Sequence, residues 1–118
     1  MRYLLLIYAQ EAPEGSLSEK EREAYMGQWL GFTEEFQKSG TMRSGEPLQP
    51  TATATTVRLR DGKRVTSDGP FAETKEQLGG YFIIEADNLD TAIEWSSRMP
   101  HLPWGGSVEI RPIMEFNR

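Results

Sequence analysis

The residues with most chemistry to offer lie between positions 58 and 81. Asp68 precedes Gly69 and Pro70, and a carboxylate so placed commonly fastens the backbone amides of a turn whose dihedrals Gly and Pro set. Its alternative use is as a pocket carboxylate, acting as a base or accepting from a ligand. Glu73, Lys75 and Glu76 follow, read first as solvated surface charges and second as an ion-paired lid beside Asp68. Thr74 among them has a hydroxyl suited to clamping the loop locally. Arg58 and Arg60 alternate onto one face of a strand, where pairing with Glu73 or Glu76 is the safer expectation and holding an anionic ligand the bolder one. Used as an acid–base site, this set makes Asp68 or Glu73 the catalytic base, with Lys75 or Arg58 steadying an anionic intermediate. Used as a binding site, it offers Arg58, Lys75, Glu76 and Tyr81 to a ligand.

Other chemistries are excluded by what the chain lacks. It has no cysteine and one histidine, His101. Disulfides, thiol nucleophiles, thiolate zinc sites and multi-histidine metal centres within one chain are therefore ruled out, and no metal or other cofactor is expected. The absence of cysteine is compatible with a cytoplasmic home. His101 follows Pro100 in an expected exposed loop, where a solvated role outweighs catalysis. With 13 basic against 18 acidic residues the net charge is −5, which argues against a protein that tracks nucleic-acid phosphates. The apolar opening MRYLLLIYA is too short to span a bilayer and carries no cleavage site, so neither membrane nor signal-peptide roles are expected.

The elements that must position these residues follow from periodicity. At 118 residues the chain reads as one domain, 1–118, with a core that needs no staple. Tyr3 to Tyr8 is an apolar run of strand length. Ser18 and Glu21 have capping-box spacing, and Tyr25, Met26, Trp29, Leu30, Thr33 and Phe36 form the apolar stripe of a helix over 19–39, stopped by Gly40. Thr41 to Leu48 reads as an edge strand because of Gly45 and Pro47. Thr51 to Arg60 is β-branched and alternating, and Asp61-Gly62 turns Val57–Arg60 back onto Arg64–Thr66 as a hairpin. A turn-rich stretch ends at Gly79 and Gly80, and Tyr81 to Glu85 is a strand. Asn88 or Asp90 opens a second helix that buries Ala92, Ile93, Trp95, Ser96 and Met99. HLPWGG is a loop, and the segment from Val108 to Met114 is the last strand. Without the hairpin the order is βαββαβ, the α+β ferredoxin-like arrangement of an antiparallel sheet with two helices on one face. The bare face calls for a second copy of the chain.

The stretch VTSDGPFAETKEQLGGYFIIE, with WLGFTEEFQKSGTMRSGEPLQP, ATTVRLRDG and SVEIRP, resembles the DGPF group of the YCII-related proteins over nearly the whole chain. The resemblance implies a ferredoxin-like fold of the dimeric α/β-barrel kind. Many members are encoded near extracytoplasmic-function sigma factors, which implies a regulatory connection. Wider relatives have a first-helix histidine and an aspartate of a late Asp-Pro-Tyr segment in one pocket. Here Tyr25 stands about where that histidine would be, and Met99, Pro100 and His101 stand over Asp-Pro-Tyr, so the pair is not carried over. The expectation is a small-molecule binding or sensing homodimer, with the acid–base enzyme built on Asp68 or Glu73 as the alternative.

Overall fold

The computed structural model describes residues 1–11 and 16–116. In chain order these form β1 (Arg2–Ala9), α1 (Glu19–Lys38), β2 (Met42–Pro47), β3 (Thr55–Arg60), β4 (Lys63–Asp68), β5 (Gln77–Glu85), α2 (Leu89–Ser97) and β6 (Ser107–Pro112), with 3-10 turns at Thr51–Thr53 and Leu102–Trp104. Four strands make an antiparallel sheet in the order β2-β5-β1-β6, and β3 and β4 make a separate ribbon. The architecture is the α+β ferredoxin-like one, with the ribbon inserted between β2 and β5.

Local chemistry accounts for the boundaries of α1. The Ser18 hydroxyl accepts from the Glu21 amide at 3.1 Å while the Glu21 carboxylate accepts from the Ser18 amide at 3.1 Å, which satisfies two orphan donors. Gly40, at φ +79°, takes the left-handed turn that ends the helix. Asn88 caps α2 by accepting from the Thr91 amide at 3.0 Å. In the ribbon, Asp61 and Gly62 both have positive φ, the requirement of the tight turn that matches strand twist.

Both helices cover one sheet face. Tyr3, Leu5, Phe82 and Ile84 from the strands pack with Phe32, Phe36, Ala92 and Met99, flanked by Ile7, Trp29, Trp95, Val108 and Ile110. The buried line on α1 runs through Trp29, Phe32 and Phe36, whereas Met26 and Leu30 of the expected stripe are 52% and 68% exposed. Met26 lies roughly a fifth of a turn and Leu30 roughly a third of a turn from the centre of the line along which the sheet meets the helix, 29, 32, 33 and 36. Ile93 of α2 is exposed for the same geometric reason. On the opposite face Leu4 is paired with Ile83 and Leu6 with Tyr81; with Tyr8 they form a half-buried apolar strip that the helices do not cover.

Strand boundaries differ from expectation in three places. β5 starts at Gln77 and continues through Gly79 and Gly80, with a register shift against β1 that leaves Gly79 without a partner residue between Ile7–Gly80 and Tyr8–Leu78. A side chain at Gly80 would press on the Glu46 carbonyl oxygen at 3.0 Å. The glycine thus permits close pairing with β2 rather than ending a loop. Thr51–Thr53 forms a 3-10 turn ahead of β3, and β6 stops at Pro112. Within the ribbon β3 is shorter than the β-branched run from Thr51 and β4 is longer than Arg64–Thr66, so that each strand has six residues.

Candidate functional site

The sequence-named residues lie around the ribbon root and the loop that follows it. Asp68 is the last residue of β4, opposite Thr55, and is exposed. The loop is fastened by other groups: the Gly69 amide donates to Ala54 O at 2.7 Å, Thr56 Oγ1 donates to Gly69 O at 2.8 Å, and Arg58 Nη2 donates to Phe71 O at 3.2 Å. Arg58 thus ties down a carbonyl, and among the described residues neither it nor Arg60 forms an ion pair. Glu73 and Lys75 are exposed, and Glu76 accepts from Ser107 Oγ at 3.3 Å. Thr74 Oγ1 donates to Glu76 O at 2.6 Å, the local clamp expected of it, and Gln77 Nε2 adds bonds to Ala72 O and Thr74 O. Tyr81 lies on the uncovered sheet face opposite Leu6. Because no hydrogen bond to the Asp68 carboxylate is seen among the described residues, Asp68→Ala should change stability by less than about 0.5 kcal/mol. Urea unfolding checks this, and a loss of about 1–2 kcal/mol would restore a turn-fastening role for the carboxylate.

A half-open pocket lies elsewhere. A cavity of about 510 Å³ lies between the N-terminal half of α1, the end of β1 and the turn after α2. Ala9, Leu17, Ala24, Tyr25, Trp104 and His101 give its walls their character, with Gln10 and Gln28 supplying amides. Glu21 at its rim is held below the usual carboxylate range, first by the Ser18 amide and then by the Ser18 hydroxyl, so it is ionised at neutral pH.

His101 is the main departure from the sequence reading. The ring is 2% exposed rather than solvated. It stacks on Trp29 with centroids 5.5 Å apart and planes at 27°, and Tyr25 meets the same indole edge-on at 6.5 Å. Its Nε2 lies 2.9 Å from Ser107 O. A carbonyl only accepts, so Nε2 carries a hydrogen and is the donor in this contact. Among the described residues Nδ1 is buried without a partner, a state that costs about 1–3 kcal/mol unless a donor reaches it. Gly106 makes room for the ring, since a Cβ there would collide with His101 Cδ2. Burial of the imidazole depends on Trp29, Gly106 and Ser107 from separate elements, which a loop assignment at Pro100 does not reveal. One signal pointed here: Tyr25, about where the resembled family has its pocket histidine, lines the cavity, as does His101, two places beyond Met99, which stands over that family's pocket aspartate.

Among the described residues no group of three or more His, Asp or Glu side chains could hold a metal ion, and no helix is long and apolar enough to cross a membrane.

Comparison with known proteins agrees with this architecture. The chain is 34% identical over 114 residues to an uncharacterized protein of Rhizobium meliloti (strain 1021), covering 96% of this chain and 92% of that one. Among solved structures it resembles the 5-chloro-2-hydroxyhydroquinone dehydrochlorinase of Burkholderia phenoliruptrix AC1100, solved in complex with 2,5-dihydroxybenzoquinone. The TM-score is 0.50 at 20% identity, over 96% of this chain and 95% of the other, a likeness of fold. The model of the YCII-related domain matches residues 1–117, so the chain belongs to the YCII-related family.

Proposed function

We propose that the protein is a homodimeric small-molecule binding or sensing domain whose ligand occupies the cavity between α1, the end of β1 and the His101 turn. The observation that carries this reading is the cavity itself, about 510 Å³ and walled by Leu17, Tyr25, His101 and Trp104. Small-molecule sites are commonly of this size, mostly apolar, with a few polar groups that fix orientation. The aromatic walls suit a flat ligand, and the amides of Gln10 and Gln28 in the lining suit one that carries hydroxyl or carbonyl groups. The solved neighbour's 2,5-dihydroxybenzoquinone is a molecule of that type. Neither Asp68 nor Glu73 lines the cavity, which favours binding over an acid–base enzyme built on those carboxylates. A connection to sigma-factor regulation rests on the family resemblance. Dimerisation is supported by the apolar strip of Leu4, Leu6, Tyr8, Tyr81 and Ile83, which in water favours burial against a like surface.

A single histidine makes the test direct, because every imidazole NMR signal comes from the cavity wall. Titration with 2,5-dihydroxybenzoquinone or hydroquinone should move those signals saturably. At a ligand concentration about 100 times Kd the fold should gain about 2.7 kcal/mol. Ala24→Phe, at an exposed position on the cavity wall, should fill the space and weaken binding by roughly tenfold or more while the fold persists. Imidazole signals that stay fixed with both compounds, or binding that Ala24→Phe leaves intact, would place the ligand elsewhere.

A further inference from the structure

The β3–β4 ribbon belongs neither to the four-stranded sheet nor to the hydrophobic core. Residues paired across an antiparallel ribbon project from the same face. One face therefore carries Val57, Leu59, Arg64 and Thr66, and the other Arg58, Arg60, Lys63 and Val65. Both faces are bare, with Leu59 74% and Val57 60% exposed on the first and Val65 39% exposed on the second. A lone two-stranded ribbon is marginal in water, so apolar residues on both faces mark it as an element completed by another surface. At its root Phe71 is 79% exposed beside an open apolar groove shared with Leu48, Pro50, Val57 and Leu78.

The body of the same protomer does not supply that surface. The radius of gyration is 16.5 Å, where a compact chain of this length has about 13.5 Å. Charge indicates what does. Residues 55–68 hold four cations and two carboxylates, which leaves nine cations against sixteen carboxylates in the rest of the chain. A basic ribbon on an acidic body is self-complementary between two copies, and two-fold symmetry makes such a contact twice.

We infer that the ribbon is a dimerisation arm that lies on the acidic body of a second copy of this chain. The inference rests on the homodimer proposed above and adds a salt-sensitive clamp to the apolar seal of the sheet face. Its test uses a natural excision point: the Gly69 amide already bonds Ala54 O at 2.7 Å, so Thr55–Asp68 can be replaced by Asn-Gly with little strain on the rest. A second variant, Arg58→Glu with Arg60→Glu, keeps the ribbon and reverses its charge. Sedimentation equilibrium at about 50 mM and about 500 mM salt, with tryptophan fluorescence to confirm the fold, compares both with the full chain. The full chain should be a dimer that weakens roughly tenfold or more with salt, and both variants should dissociate at roughly tenfold lower salt-dependent affinity or worse. Should the shortened chain misfold, the charge-reversed one decides. A full chain that dimerises independently of salt, with variants equally tight, would overturn the arm and keep the sheet-face dimer. A monomeric full chain would overturn both.

Discussion

Phe36→Ala is expected to destabilise the fold by about 3–5 kcal/mol, the largest effect of any single truncation in this core. Its ring is fully buried, stacks on Trp95 with centroids 4.5 Å apart, and meets Phe32 and Phe82 at 5.4 and 5.2 Å. That cluster joins α1, α2 and β5 in one contact, so the void left by truncation has walls on three elements and cannot collapse by moving one of them. Urea unfolding followed by tryptophan fluorescence measures the loss. Leu30→Ala on the same helix is the control: that side chain is 68% exposed, and its removal should cost less than about 0.5 kcal/mol. Comparable losses for the two would mean that α1 presents the face expected from its full apolar stripe rather than the narrower line of 29, 32 and 36.

Gly106→Ala should have the next largest effect, and it reports on the site as well as on stability. The added Cβ would occupy the space of His101 Cδ2 and lie 3.0 Å from Tyr8 O. The imidazole has no free direction, since Trp29 stacks on it and its Nε2 is tied to Ser107 O. Relief requires moving the ring or the chain, at a cost of about 1–3 kcal/mol. The imidazole resonances should shift without ligand, and binding of a flat hydroxylated probe should weaken roughly tenfold or more even where the fold survives. A variant with wild-type imidazole signals and wild-type affinity would separate the cavity from the packing of His101.

Much of the architecture was legible in the sequence because it is set by short-range chemistry. Ser18 and Glu21 close the capping box whatever lies beyond them, Gly40 ends α1, and Asp61 and Gly62 take the positive φ values of the hairpin turn. The continuous apolar run from Tyr3 to Tyr8 makes β1, which turns Tyr3, Leu5 and Ile7 to the helices and Leu4, Leu6 and Tyr8 to the face they do not cover. These features, with element order, determine a ferredoxin-like sheet with two helices on one side.

The charged motif and the α1 cavity lie apart. Asp68, Glu73 and Lys75 offer the residue types of acid–base chemistry, yet catalysis also needs enclosure, and they stand exposed around a ribbon root. Trp29 read as core because of its spacing, and it is core on one side only: it packs against Phe32 at 5.9 Å and turns its other contacts to His101 and Tyr25.

By itself, then, the sequence determined the elements, their order, the covered sheet face and the excess of acid over base, since each depends on neighbours along the chain or on composition. Only the tertiary structure decided that His101 is buried, that Tyr25 and Trp104 share a cavity with it, that β5 continues through Gly79 and Gly80, and that the ribbon is left uncovered. The physical reason is sequence distance. Trp29 and Gly106, which jointly fix the imidazole, are 77 positions apart, and a ring's burial is a property of the surfaces that close on it rather than of its own place in the chain.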